Sequence, residues 1–137
     1  MLALYIVWNE CYETGIPILD DQLRGLVSLI NTFFFHKADA DKDINRILVP
    51  TATMLKSYAH FYFLTLEKLM VEAAYPDIES ETVRHKEIMR TVEETDLKYR
   101  VARDADGFLG FLKQYWNEHA CRVERPDIAF IKQYFSL

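Results

Sequence analysis

The apolar run over residues 48 to 70 repeats every seven residues and restricts the fold more than any other feature of the chain. Side chains at this spacing share one face of an α-helix and form the a/d seam of a helical bundle. Pro50 lies near the start of the run, so the helix is expected either to begin there, with proline in its first turn, or to kink there. The seam consists of Leu48, Ala52, Leu55, Ala59, Tyr62, Leu66 and Leu69.

Three further stretches carry apolar side chains at helical spacing. They cover residues 19 to 33, 78 to 101 and 105 to 122, and none of them shows the period of two that is typical of a strand. Sequential helices joined by short connections pack most simply as antiparallel neighbours. The sequence therefore predicts an all-α protein, an antiparallel up-down four-helix bundle.

Both ends of the chain are expected to pack on this bundle. The apolar segment Met1 to Trp8 has no basic flank and is too short to span a bilayer, so it is expected to form an extended N-terminal arm. The tail, Asp127 to Leu137, has apolar residues at helical spacing and is expected to be a short docked helix. Residues 1–137 are thus expected to form a single domain, long enough to bury a core.

Composition and charge exclude several classes of partner. Hydrophobic residues make up 50% of the chain and charged residues 27%, which is typical of a folded globule. The net charge of −5 is spread along the sequence, so neither nucleic acid nor a membrane is an expected partner. Cys11 and Cys121 form no metal or redox spacing, which favours a reducing cytoplasm. No nucleophile constellation or phosphate-binding glycine loop is visible, so an enzyme is not expected.

Ionisable side chains interrupt two of the apolar stripes. Glu81 and His85 are four residues apart on the third helix, and His119 lies on the stripe of the fourth, five residues before Glu124. Buried ionisable groups must be paired, hydrated or bound to metal. Helical bundles direct such groups inward as ligands, and this set would suit Fe(II), Zn(II) or Mn(II). The alternative is two hydrogen-bonded pairs without metal, Glu81 with His85 and His119 with Glu124.

Motifs along nearly the whole chain resemble those of the bacterial hemerythrins. They include a Trp with a Tyr four residues on and then Gly-Ile, a Tyr-Pro pair before the third helix, and a Phe-Leu pair before a His in the fourth. Their order and spacing match that family, and the resemblance implies the same four-helix fold. The matching stretches are Trp8 to Ile16, Leu19 to Asn31, Tyr58 to Met70, Tyr75 to His85 and Phe111 to Glu124.

The resemblance also implies which iron ligands are missing. In that family two irons are held by five histidines and two bridging carboxylates. Carried over position by position, Leu23 stands at the first-helix histidine, Tyr62 at the second-helix histidine and Leu66 at the bridging glutamate. Leucine cannot ligate a metal. The resemblance therefore implies that the iron between the first two helices is lost, and a di-iron centre that carries oxygen is not expected.

The other half of the ligand set is better kept. Glu81 stands at the first histidine of the third helix, His85 at the second, His119 at the fourth-helix histidine and Glu124 at the bridging aspartate. These residues predict at most a mononuclear non-haem site for one Fe or Zn ion, which Tyr62 could complete as a phenolate. The expected function is a metal-binding or sensor domain.

A metal-free function is the alternative. A bundle that has lost ligands can leave an apolar cavity between its helices, and such a cavity can accept a small molecule. Outward apolar residues, such as Phe34 and Trp116, would suit a homo-oligomer or another protein partner. The chain would then serve as an interaction or small-molecule-sensing bundle.

Overall fold

The computed structural model describes residues 4–38, 43–120 and 125–137. Glu10–Tyr12 forms a 3-10 turn, and Trp116–Ala120 forms a π-helical turn that follows the fourth helix. No strand occurs within these described ranges, which confirms the predicted all-α class. The helices are α1 (Pro17–Lys37), α2 (Asn45–Ala73), α3 (Ile78–Ala102), α4 (Ala105–Tyr115) and α5 (Pro126–Phe135).

Proline and left-handed residues mark the helix ends. Pro17 is the first residue of α1, a position whose N–H makes no hydrogen bond within the helix, so proline loses nothing there. Helix α2 begins at Asn45, so Pro50 lies in its second turn, and the alternative that the helix begins at Pro50 is wrong. Ala74, after α2, and Arg103, after α3, have φ angles of 57° and 52°, and their N–H groups close the last turns.

Neighbouring helices pack as a helical bundle. Helix α1 contacts α2 and α4, α3 contacts α2 and α4, and α5 contacts α2. The seam predicted on α2 is buried from Leu48 to Leu66, but Met70 is buried in the fourth repeat and Leu69 is only half-buried. A straight α-helix drifts by roughly 20° per heptad, which accounts for this one-residue change. None of the helices in the described part of the chain could span a membrane.

The N-terminal segment, residues 4–16, is tied to α1 by hydrogen bonds. The Ile6 N–H donates to Asn31 Oδ1 at 2.8 Å, and Asn31 Nδ2 donates to the Ile6 carbonyl at 2.8 Å. Further along, the Thr14 N–H and the Thr14 hydroxyl both donate to Asp20 Oδ1, at 2.7 and 2.8 Å. Asn31 and Asp20 thus provide hydrogen-bond partners for backbone groups of a segment that is paired with no β-strand among the described residues.

Candidate functional site

The three positions predicted to have lost ligands all lie in the core. Leu23 and Leu66 are buried, with exposed fractions of 2% and 0%, and Tyr62 is also buried. Burial is the main cause that raises the pKa of Tyr62 to about 12, with the charge of Arg125 opposing it and that of Asp127 adding to it. At neutral pH these positions therefore offer hydrocarbon and one neutral phenol.

His85 is buried on α3 and held by two residues of α2. Its Nδ1 lies 3.0 Å from Glu67 Oε2, and its ring stacks on Phe63 with centroids 4.2 Å apart. Burial lowers the pKa of His85 more than the hydrogen bond and charge of Glu67 raise it. The imidazole is therefore neutral at pH 7, with Nδ1–H donating to Glu67 and a lone pair on Nε2.

Glu81 and His85 are close but not hydrogen-bonded. Their Oε2 and Nε2 atoms are 3.6 Å apart, and Nε2 has no hydrogen-bond partner among the described residues. The expectation of a Glu81–His85 hydrogen bond is therefore wrong, because the N–H of the ring faces Glu67 on the neighbouring helix. The unprotonated Nε2 of His85 and Oε2 of Glu81 are both hydrogen-bond acceptors, so no hydrogen bond can form between them.

Two arginines contact the same carboxylate oxygen of Glu81. Arg84 donates to Oε2 through Nε at 3.2 Å and Nη2 at 2.9 Å, and Arg125 Nη2 lies 3.2 Å from it. Burial alone would raise the pKa of Glu81, but the hydrogen bond and charge of Arg84 and the charge of Arg125 outweigh burial and lower it. Glu81 is therefore an ionised carboxylate paired with guanidinium groups.

Arg125 joins α3 to the start of α5. Its Nη2 also donates to Asp127 Oδ2 at 2.6 Å, and the two side chains are only 10% and 2% exposed. Asp127 lies in the first turn of α5, where its Oδ1 accepts from the Ile128 N–H at 2.9 Å. A carboxylate at this end of a helix is stabilised by the helix dipole.

His119 lies in the π-helical turn after α4, not on a continuous α-helical stripe. Its side chain is 29% exposed, its ring centroid is 5.4 Å from that of Tyr115, and its Nε2 is 3.9 Å from Glu118 Oε2. A π turn holds more residues than an α turn, so His119, four positions after Tyr115, no longer lies on the same helix face as Tyr115. Glu124 and Cys121 lie outside the described residues, and Cys11 is exposed.

The structure thus brings together only some of the predicted ligands. Glu81 and His85 are adjacent, whereas no group of three or more His, Cys, Asp or Glu side chains in the described ranges is arranged to hold a metal ion. Glu67, Arg125 and Asp127 were missed from the sequence. In the hemerythrin motif that the stretch Tyr58 to Met70 resembles, two glutamates are adjacent, and Glu67 stands at the second. Only this resemblance could have indicated Glu67 as a residue of the site.

Two surface pockets lie along α1. One, of about 670 Å³, is lined by Ile6, Trp8 and Phe35 among others, and the second, of about 290 Å³, lies between α1 and α2 near Tyr58. Neither is lined by Leu23, Tyr62 or Leu66. These two pockets are therefore not the cavity expected at the vacated ligand positions.

The helices define a helical-bundle protein in which a carboxylate of α2 and an imidazole of α3 are hydrogen-bonded across the helix interface. No family model matches the chain. It is 26% identical to a bacteriohemerythrin of Pseudomonas paraeruginosa, over 93% of this chain and 80% of that protein. It is 25% identical to bacteriohemerythrins of Clostridium acetobutylicum, over 89% of this chain and 98% of that protein, and of Stenotrophomonas maltophilia, over 81% and 71%. These similarities support a hemerythrin-like family for the chain.

Proposed function

We propose that this hemerythrin-like domain, an up-down four-helix bundle, has lost the di-iron oxygen-binding site and keeps at most a mononuclear non-haem metal site. The observation that carries the proposal is the burial of Leu23, Tyr62 and Leu66 in the core, at positions that the family resemblance assigns to two histidines and a bridging glutamate. Oxygen binding in that family uses both irons. A chain without donors for one of them cannot bind oxygen in that way.

The chemistry of these three side chains supports the loss. Leu23 and Leu66 have no donor atoms, so only Tyr62 could ligate a metal there. The pKa of Tyr62 is about 12, so forming its phenolate at pH 7 costs roughly 7 kcal/mol before any metal bond forms. A metal ion bound to the Tyr62 phenolate would also lack two further ligands, because Leu23 on α1 and Leu66 on α2 offer no donor atom.

The geometry around His85 supports a single retained metal site. A histidine that ligates a metal commonly donates its other ring N–H to a carboxylate, as His85 does to Glu67. The 3.6 Å between His85 Nε2 and Glu81 Oε2 is close to the ~3.4 Å expected of two ligands that share a tetrahedral ion. One Fe or Zn ion held by Glu81, His85, His119 and Glu124 would serve a sensor or metal-binding role, not catalysis.

A metal-free bundle is the second candidate, and the arginines favour it. Arg84 and Arg125 already neutralise Glu81, and their positive charges would repel a divalent ion at that carboxylate. In this case the domain would act as an interaction or small-molecule-sensing module. The surface groove between Ile6, Trp8 and Phe35 would then be the more accessible ligand site.

Metal content separates these candidates from each other and from an oxygen carrier. Protein purified without a chelating tag from iron-supplemented cells should contain at most one metal ion per chain. Any bound metal should be lost when His85→Ala and His119→Ala are combined, whereas His60→Ala, at an exposed position on α2, is the matched control and should retain it. Metal-free protein of unchanged stability supports the second candidate, and two irons per chain would contradict the proposal.

A further inference from the structure

Arg125 places a permanent positive charge inside the bundle, beside a predicted metal ligand. Its side chain is 10% exposed, and a single nitrogen, Nη2, contacts both Glu81 Oε2 and Asp127 Oδ2. An arginine side chain keeps its proton under all ordinary conditions, and its planar group suits carboxylates. The two carboxylates therefore share one buried cation that the chain itself supplies.

The charges leave little room for a second cation at the same place. Asp127 is 2% exposed, so its negative charge needs a partner, and Arg125 is the partner that contacts it most closely. A divalent ion bound to Glu81 Oε2 would lie beside Arg125 and would be repelled by it. Metal and guanidinium are thus alternatives at Glu81.

We propose that the guanidinium of Arg125 is the cation that Glu81 and Asp127 hold in this chain in place of a divalent metal ion. A metal ion can use Glu81 as a ligand only after Arg125 has left it. This inference rests on the metal-free candidate of the proposed function, and it names the group that occupies the place of the predicted mononuclear metal at Glu81.

His85 makes the exchange testable. Its Nε2 lone pair has no hydrogen-bond partner among the residues the structure describes, and it lies 3.6 Å from the oxygen that Arg125 contacts. Without the guanidinium, Glu81 Oε2 and His85 Nε2 would offer a carboxylate oxygen and an imidazole nitrogen 3.6 Å apart, and Asp127 would lose its contact with Arg125. Carboxylate and imidazole together suit a divalent transition metal.

The experiment compares Co(II) binding by the parent protein and by Arg125→Met, using calorimetry and visible absorption. The variant should bind one Co(II) per chain at least about tenfold more tightly than the parent, because a repulsive charge has been removed. Adding Glu81→Gln to Arg125→Met should abolish the gain. Equal binding by the parent and Arg125→Met would overturn the inference, and so would a gain that survives Glu81→Gln.

Arg84→Met is the matched control, since it removes a guanidinium that contacts the same oxygen from a half-exposed position. Its gain in Co(II) affinity should be smaller than that of Arg125→Met, and an equal gain would overturn the assignment to Arg125.

The variant Arg125→Met leaves Asp127 unpaired and could fail to fold. In that case the double variant Arg125→Met with Asp127→Asn is compared with Asp127→Asn alone, and the double variant should again bind Co(II) at least about tenfold more tightly. Two metal ions per parent chain would instead contradict the proposed function.

Discussion

Glu67 Oε2 lies 3.0 Å from Nδ1 of His85, although the two residues are on different helices and 18 positions apart in the chain. This hydrogen bond fixes which ring nitrogen carries the proton and directs the other nitrogen toward Glu81. The contact therefore determines whether His85 can act as a ligand, and it connects α2 to α3 at the centre of the candidate site.

Replacing Glu67 by Gln should lower the pKa of His85 further. That pKa already lies below its ordinary value of 6.5, because burial outweighs the opposing effect of Glu67, and the substitution removes the negative charge that raises it. The free energy of unfolding should fall by about 1 kcal/mol, since a hydrogen bond to a partly exposed charged group is weakened. An NMR titration of the imidazole nitrogens measures the pKa. Glu72→Gln, at an exposed position on α2, is the control, and an unchanged His85 pKa in Glu67→Gln would show that Glu67 does not act on it.

Leu66→Ala should destabilise the fold by about 2 to 5 kcal/mol, because it opens a cavity at a side chain that is fully buried. Leu64→Ala, two residues away on the same helix, removes the same atoms from a side chain that is 49% exposed. This control should change the free energy of unfolding by less than about 1 kcal/mol. Urea denaturation measures both, and similar losses in the two variants would place Leu66 outside the core.

Tyr62 should make the protein sensitive to alkaline pH. Its pKa is raised from 10.0 to about 12, so the buried neutral phenol contributes stability that is fully present below pH 10 and is lost as the pH rises through about 12. The contribution is on the order of 3 kcal/mol. Tyr62→Phe should therefore lose less stability between pH 10 and 12 than the parent protein does. Denaturation at several pH values tests this, with Tyr134→Phe as the exposed control, and parallel losses in the parent and Tyr62→Phe would refute it.

Asn31→Ala should release the start of the chain from α1. The substitution removes both hydrogen bonds to Ile6, each of which contributes about 0.5 to 1.5 kcal/mol. Amide hydrogen exchange over residues 4–8 should accelerate, whereas exchange in α3 should stay as in the parent. Thr32→Ala, which removes only a local hydrogen bond to the Ser28 carbonyl, is the neighbouring control. Unchanged exchange at Ile6 would mean that Asn31 does not hold this segment.

Periodicity in the sequence predicted the helices and most of the core, because apolar spacing is a local property. The predicted burial of Tyr62 and Leu66 is confirmed. The predicted third helix, residues 78 to 101, differs by one residue from Ile78–Ala102. The seven-residue repeat on α2 was wrong at Leu69, where the helix drifts. The apolar pattern also did not indicate the π-helical turn after α4. The expectation that Trp116, in this turn, faces outward is wrong, because its side chain is 1% exposed and its ring contacts those of Trp8 and Tyr12.

The polar contacts of the site could not be predicted in the same way. Arg125 reaches Glu81 across 44 positions, and the sequence gives no signal for an ion pair between side chains so far apart. His85 has carboxylates within reach on two helices, and only the packing of α2 against α3 decides that Glu67 accepts its proton. Spacing identified Glu81 and His85 as interior polar residues but not their partners.

The number of irons per chain after anaerobic loading tests the proposed loss of the di-iron site most directly. Protein incubated with excess ferrous iron, freed of unbound metal and then exposed to oxygen, should contain at most one iron per chain and show no absorption band that appears with oxygen and disappears on its removal. Two irons per chain with reversible, oxygen-dependent absorption would contradict the account.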